Sequence, residues 1–216
     1  TLFSHIKKVK ELLLMLKINL LYAAYIREDS NTKGFINKII NQCFAFKAKI
    51  ENVYMYVSRK DESVLYKIEK NKIEEIKVYR YKDFYTYSEK SIFRLVKGYL
   101  RYNSYVGFLN EIIDSFGIDV LYYRNSPPTK KLLDFLKHKS CLKVLEIVTY
   151  PYKAEWRKIM PTYEYLFWIF GQKKVEKISD IIVGISSDNT LNVDKKFVLI
   201  NNGIRLEDIK IKNQNQ

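Results

Sequence analysis

Three short segments hold the side chains best suited to chemistry. The first is Tyr122-Tyr123-Arg124-Asn125-Ser126-Pro127, where an arginine closes an apolar run just before a helix start. A guanidinium there can grip a phosphate or carboxylate through two parallel N–H donors. The second is Glu146-Ile147-Val148-Thr149-Tyr150-Pro151-Tyr152-Lys153-Ala154-Glu155-Trp156-Arg157. Glu146 lies inside an apolar run, where a buried carboxylate needs a partner. Arg124, on the preceding strand, can supply one, and the pair then serves either a ligand or structure alone. Tyr150, Tyr152 and Trp156 offer flat faces for sugar rings, and Glu155 can accept from hydroxyls. The third is Arg27-Glu28-Asp29-Ser30-Asn31-Thr32-Lys33-Gly34, running into a helix at Phe35. A glycine before a helix N-terminus lets a phosphate approach free backbone N–H groups.

Other chemistries lack their residues. The third segment is neither G-x-G-x-x-G nor G-x-x-x-x-G-K-[ST], which disfavours a dehydrogenase-type dinucleotide fold and a P-loop. Cys43 and Cys141 form no C-x-x-C pattern, and His5 and His138 have no metal-ligand spacing. These spacings build no Ser-His-Asp, Cys-His or metal triad. No catalytic residue and no metal site is assigned. The stretch Tyr79-Arg80-Tyr81-Lys82-Asp83-Phe84-Tyr85-Thr86-Tyr87 interleaves bases with aromatics. It can stack on nucleobases or sit at a membrane interface, or simply cover the sheet.

The elements that must position these residues are short and alternate. Strand-like runs cover 18–26, 52–58, 76–81, 119–125, 143–150, 180–186 and 197–200. Most are apolar continuously, as strands covered on both faces are. Helical spacing follows Phe35, spans Ile92 to Ile113, starts at Ser126-Pro127-Pro128 with Ser126 as cap, and resumes after Pro161. The expected fold class is therefore α/β: a doubly wound, mostly parallel, Rossmann-like sheet of about seven strands with helices on both faces. Residues 1–16 read as an N-terminal extension, 17–208 as the domain and 209–216 as a polar tail. Ligands of such sheets sit at the carboxyl ends of the strands.

Composition sets the wider frame. The 216 residues are 47% hydrophobic with only Gly 7 and Pro 4, which suits a globular domain rather than a disordered chain. The run Leu12-Leu13-Leu14-Met15-Leu16 is far too short to span a bilayer. Its basic flank resembles a signal peptide, but no small-residue cleavage site follows; Met15 as the natural start is another reading. Cysteine usage points to a cytoplasmic location. The net charge of +14 favours a polyanionic partner, or reflects the Lys, Ile, Asn and Tyr bias of an A/T-rich genome.

The order of these segments resembles the N-terminal, acceptor-binding lobe of a bacterial retaining glycosyltransferase of the two-lobed GT-B fold, in the group 1 or family 4 type that includes capsule and exopolysaccharide enzymes. The resemblance rests on Lys33-Gly34-Phe35-Ile36, Leu121-Tyr122-Tyr123-Arg124, the Glu146 to Glu155 segment, Ile181 to Ser186, and Val198-Leu199-Ile200-Asn201-Asn202-Gly203-Ile204. It implies a nucleotide-sugar donor as substrate and no permanently bound cofactor. Lys33 and Gly34 would lie on the donor-phosphate side. Arg124, Glu146, Tyr150, Tyr152 and Glu155 would line the acceptor side, with Asn202 and Gly203 at a hinge. The acceptor would be a glycan or lipid-linked, and a C-terminal donor lobe in cis or trans would be needed for activity. Peripheral, salt-sensitive binding to an anionic inner membrane face fits the charge; nucleic acid is not expected. The alternatives are a non-catalytic basic α/β binding module, for nucleic acid or as a scaffold, and a pseudo-enzyme.

Overall fold

The computed structural model describes residues 17–26, 32–59, 62–81, 94–124, 126–147, 157, 162–184 and 197–199. Eight strands form one sheet: β1 (Asn19–Ala24), β2 (Asn52–Ser58), β3 (Glu62–Ile68), β4 (Ile73–Arg80), β5 (Val120–Arg124), β6 (Leu142–Ile147), β7 (Ile181–Gly184) and β8 (Phe197–Leu199). Their order across the sheet is β4-β3-β2-β1-β5-β6-β7-β8. The four helices among the described residues are α1 (Thr32–Lys47), α2 (Arg94–Phe116), α3 (Lys130–His138) and α4 (Thr162–Ile178).

The strands β2, β1, β5, β6, β7 and β8 run parallel, while β3 and β4 fold back antiparallel on β2. The sheet is mostly parallel, as expected, with eight strands where about seven were expected and an antiparallel edge. One expectation is corrected here. The run at 76–81 is not a further parallel strand but the outer half of β4. The physical reason is connection length. Only residues 59–61 separate β2 from β3, and 69–72 separate β3 from β4. A parallel return needs a crossover of about a dozen residues or more, so such short links allow only hairpins. Strand β4 forms one edge, and its sequence IEEIKVYR is mostly exposed and charged. Charge on an edge discourages pairing with another chain.

Each face of the sheet has its own core. On one side Leu20, Tyr22, Ala24, Val53, Met55, Tyr122 and Val144 pack with Ile39 and Cys43 of α1. On the other, Leu21, Ala23, Tyr56, Leu121, Tyr123 and Leu145 pack with residues of α2, α3 and α4. Alternation along β1 and β5 sends successive side chains to opposite layers, which is why these strands read as unbroken apolar runs.

Helix ends fix the register between layers. Helix α2 stops at Gly117, whose φ of 55° suits the left-handed conformation that closes a helix. Ile118 N–H returns to the Ile113 carbonyl at 3.2 Å. The Asn19 side-chain amide donates to the Phe116 and Gly117 carbonyls, which ties this helix end to the start of β1. Helix α3 begins three residues later than Ser126-Pro127-Pro128 suggests. Its cap is Thr129, whose hydroxyl accepts from Leu132 N–H at 3.2 Å. Ser126 instead hydrogen-bonds the Tyr102 hydroxyl at 2.8 Å.

Candidate functional site at the carboxyl ends of the central strands

Arg124 is the last residue of β5, and Glu146 is its registered neighbour on β6. In a parallel pair, registered residues point to the same face, here the α1 face. Their side chains are 3% and 0% exposed, and Arg124 Nε lies 3.1 Å from Glu146 Oε2. The ion pair read from the two strand positions is therefore present.

The carboxylate is richly served. The Tyr22 hydroxyl donates to Glu146 Oε2 at 2.5 Å, and the Gln42 side-chain amide donates to Oε1 at 3.2 Å. Gln42 Oε1 lies 3.0 Å from the same tyrosine hydroxyl, so Tyr22, Gln42 and Glu146 form a closed triangle. Tyr22 itself stacks on Tyr122, with ring centroids 5.0 Å apart. Burial, followed by the Glu146 charge, holds the Tyr22 phenol well above its ordinary range, so it remains a donor.

The guanidinium is not served in the same way. Among the described residues, Nη1 and Nη2 have no hydrogen-bond partner, and the Nε contact with Glu146 lacks hydrogen-bond alignment. One flat side of the group lies over the Phe35 ring, 3.9 Å from Cζ to the ring centre. Phe35 belongs to the first turns of α1, so the helix N-terminus and the arginine occupy the same corner. Lys38, one turn on, is close enough to feel both charges. Burial and the Arg124 charge lower its pKa, and Glu146 partly offsets them. This corner thus combines a buried cation short of acceptors, a second amine and a positive helix end.

The other expected site residues distribute as follows. Lys33 lies in α1, but its side chain is outside the described residues. Gly34 is the third residue of that helix, exposed, and a Cβ there would meet nothing within 4 Å. Steric need for glycine is therefore absent at this position. Tyr150, Tyr152, Glu155, Asn202 and Gly203 lie outside the described residues. Tyr22, Lys38 and Gln42 were not singled out by sequence. Spacing held a signal for two of them: 35, 38 and 42 share one helix face.

A second buried arginine was also missed. Arg101 in α2 is 6% exposed, with Nε and Nη2 unpartnered among the described residues. Its guanidinium lies 5.0 Å from the Tyr81 ring centre and 5.9 Å from that of Tyr25. It sits on the opposite face from Arg124, in the stripe that also carries Tyr102 and Tyr105, and a cation in an apolar stripe is a readable anomaly.

Both thiols are free and buried. Burial pushes Cys43 and Cys141 upward, away from the thiolate that a nucleophile needs. No group of three or more His, Cys, Asp or Glu among the described residues is arranged to hold a metal. A shallow groove lined by Val106, Lys131, Phe135 and His138 lies between α2 and α3, away from this corner.

No family model matches, and no curated protein matches. Among solved structures, the chain is similar to a secreted C11 cysteine protease from Bacteroides thetaiotaomicron, determined in complex with an irreversible peptide inhibitor. The TM-score is 0.39 at 10% identity, covering 60% of this chain and 42% of that one. A likeness at that level transfers no activity. The glycosyltransferase expectation is corrected on the comparisons as a whole: no family model or curated protein of that kind matches, the solved structure named above is a protease, and neither the GT-B assignment nor the alternative of a nucleic-acid or scaffold module finds support. The donor, acceptor and second-lobe expectations drew on the same resemblance and have no separate support among the described residues. What stands is an α/β chain with a mostly parallel mixed sheet and a buried arginine–glutamate centre at its carboxyl edge.

Proposed function

We propose that this chain binds a small molecule bearing a phosphate or carboxylate group at the carboxyl ends of β1, β5 and β6, with Arg124 as the anchor. One observation carries the reading: each Glu146 oxygen has a donor, from Tyr22 and from Gln42, while the Arg124 guanidinium, also buried, keeps donors without acceptors among the described residues. A buried donor left unpaired costs about 1–3 kcal/mol, more when charged. An incoming oxyanion removes that cost and meets the N-terminal end of α1 at the same corner. Glu146 acts as the positioning residue, holding Nε so that the Nη edge is presented. Lys38 adds a second positive charge, and its lowered pKa rises again when an anion arrives.

The test is titration calorimetry with pyrophosphate and with citrate. Wild-type protein binds one or both, and affinity falls as pH rises through the Lys38 range below 10.5. The double variant Arg124→Met/Glu146→Leu replaces a buried ion pair by apolar side chains of similar size, which is commonly neutral for stability. It should fold and lose binding by about tenfold or more. Binding unchanged in the folded double variant, or no binding by the wild type, would make the pair purely structural.

A further inference from the structure

The outward side of α4 is not the outward side of an ordinary helix. Its buried face carries Ile169, Gln172 and Val175. Directly opposite, at i, i+1, i+4, i+7, i+8 and i+11, stand Leu166, Phe167, Phe170, Lys173, Lys174 and Lys177. All six are exposed, the three apolar ones by 45%, 48% and 61%. At 3.6 residues per turn these positions form one continuous stripe. Its first half is apolar and aromatic, its second half entirely cationic, and none of its six positions is acidic. Glu176, the acid among positions 165–178, is half-buried and off the stripe.

Helix α3, which packs beside α4, also exposes Lys130, Lys131 and Lys137. Asp134 lies 3.2 Å from Lys130 and neutralises part of it. Among the described helices none is long and apolar enough to cross a membrane. Three apolar side chains are few for a stable protein interface, which buries about 800 Å² on each partner. They suffice to wedge into the headgroup layer of a bilayer, which asks for no shape complementarity, while lysines on the same helix reach phosphates.

We propose that α4 lies on anionic lipid: Leu166, Phe167 and Phe170 enter the interface, and Lys173, Lys174 and Lys177 engage the headgroups. This surface is separate from the Arg124 corner, because α4 packs on the opposite face of the sheet. Binding of a small anion and docking to a membrane can therefore fail independently.

The experiment is co-sedimentation of the full chain with phosphatidylcholine vesicles, with and without phosphatidylglycerol. Partition onto the anionic vesicles should dominate and fall steeply with salt. Replacing Lys173, Lys174 and Lys177 by Gln should lower it on the order of a hundredfold, from about 1 kcal/mol per lysine. Phe167→Ser with Phe170→Ser should lower it about tenfold or more on both vesicle types. The Arg124→Met/Glu146→Leu variant should bind vesicles as the wild type does. All of the α4 substitutions are at exposed positions, and circular dichroism checks that each variant is folded. Equal partition onto neutral and anionic vesicles, or an unchanged lysine variant, overturns the proposal. Wild-type protein that binds neither vesicle also overturns it and leaves the stripe to a protein partner.

Discussion

At the scale of single residues, the molecule concentrates its unusual chemistry around one carboxylate. Glu146 is fully buried yet touches a phenol, an amide and a guanidinium, so its charge is distributed over three neighbours. Removing any one of them leaves the others over-committed. Tyr22→Phe deletes a hydrogen bond to a charged acceptor and should cost about 1.5–3 kcal/mol in urea unfolding. In the Glu146→Leu background the same substitution should cost less, because the group it served is gone. Equal costs in the two backgrounds would show that the hydroxyl and carboxylate are uncoupled. Sequence marked Arg124 and Glu146 because each interrupts or ends an apolar run. It did not mark Tyr22, since a tyrosine in a buried strand looks the same whether its hydroxyl is functional or merely satisfied.

At the scale of elements, close approach decides more than propensity. Gly171 sits within α4, where a Cβ would stand 2.4 Å and 2.5 Å from ring carbons of Pro128. That contact lets α4 lie against the lead-in to α3, and a proline ring cannot swing away. Gly171→Ala should therefore destabilise by about 1–3 kcal/mol through overpacking, despite the gain in helix propensity. Gly98 in α2 has nothing within 4 Å of its would-be Cβ. There the same change should stabilise by about 0.5–1 kcal/mol. Thermal or urea melts of the two variants give opposite signs if the packing is as described. The helices themselves were legible from periodicity, and α2 and α4 match their expected extents closely. The start of α3 was not. Both Ser126 and Thr129 are capping residues, and only the bond from Tyr102 to Ser126 shows which one is otherwise engaged.

At the scale of the whole molecule, the core is unusually phenolic. Tyr22, Tyr56, Tyr102, Tyr105, Tyr122 and Tyr123 are all buried, and burial raises the pKa of each. In the unfolded chain these phenols ionise near about 10. The folded state keeps their protons, so above that pH it binds more protons than the unfolded state. Stability is then full below about pH 10 and is lost as pH climbs toward the raised folded values. Each phenol contributes a slope of about 1.4 kcal/mol per pH unit. Alkaline unfolding should be abrupt, and the phenolate absorbance of these six, out of 18 tyrosines in the chain, should rise in one step with the loss of circular dichroism. Phenolate absorbance complete for all 18 before unfolding would contradict this burial.

Residue order alone determined that strands alternate with helices outside the β2–β4 stretch, that most strands are covered on both sides, and that an arginine and a glutamate stand at two strand ends. Those properties follow from local periodicity and from the cost of burying charge, both written along the chain. Strand β3 was not isolated from sequence, and the short links that force the antiparallel hairpins were therefore missed. Tertiary structure alone decided which strands are neighbours, and so brought Arg124 level with Glu146, set Tyr22 and Gln42 on the carboxylate, laid Phe35 over the guanidinium and brought Lys38 within reach of its charge. It also decided that the stripe from Leu166 to Lys177 faces outward, because a helix with apolar residues on two sides offers either one to the core. In each case the deciding contacts join residues far apart in sequence, and no local pattern encodes which distant partner will stand opposite.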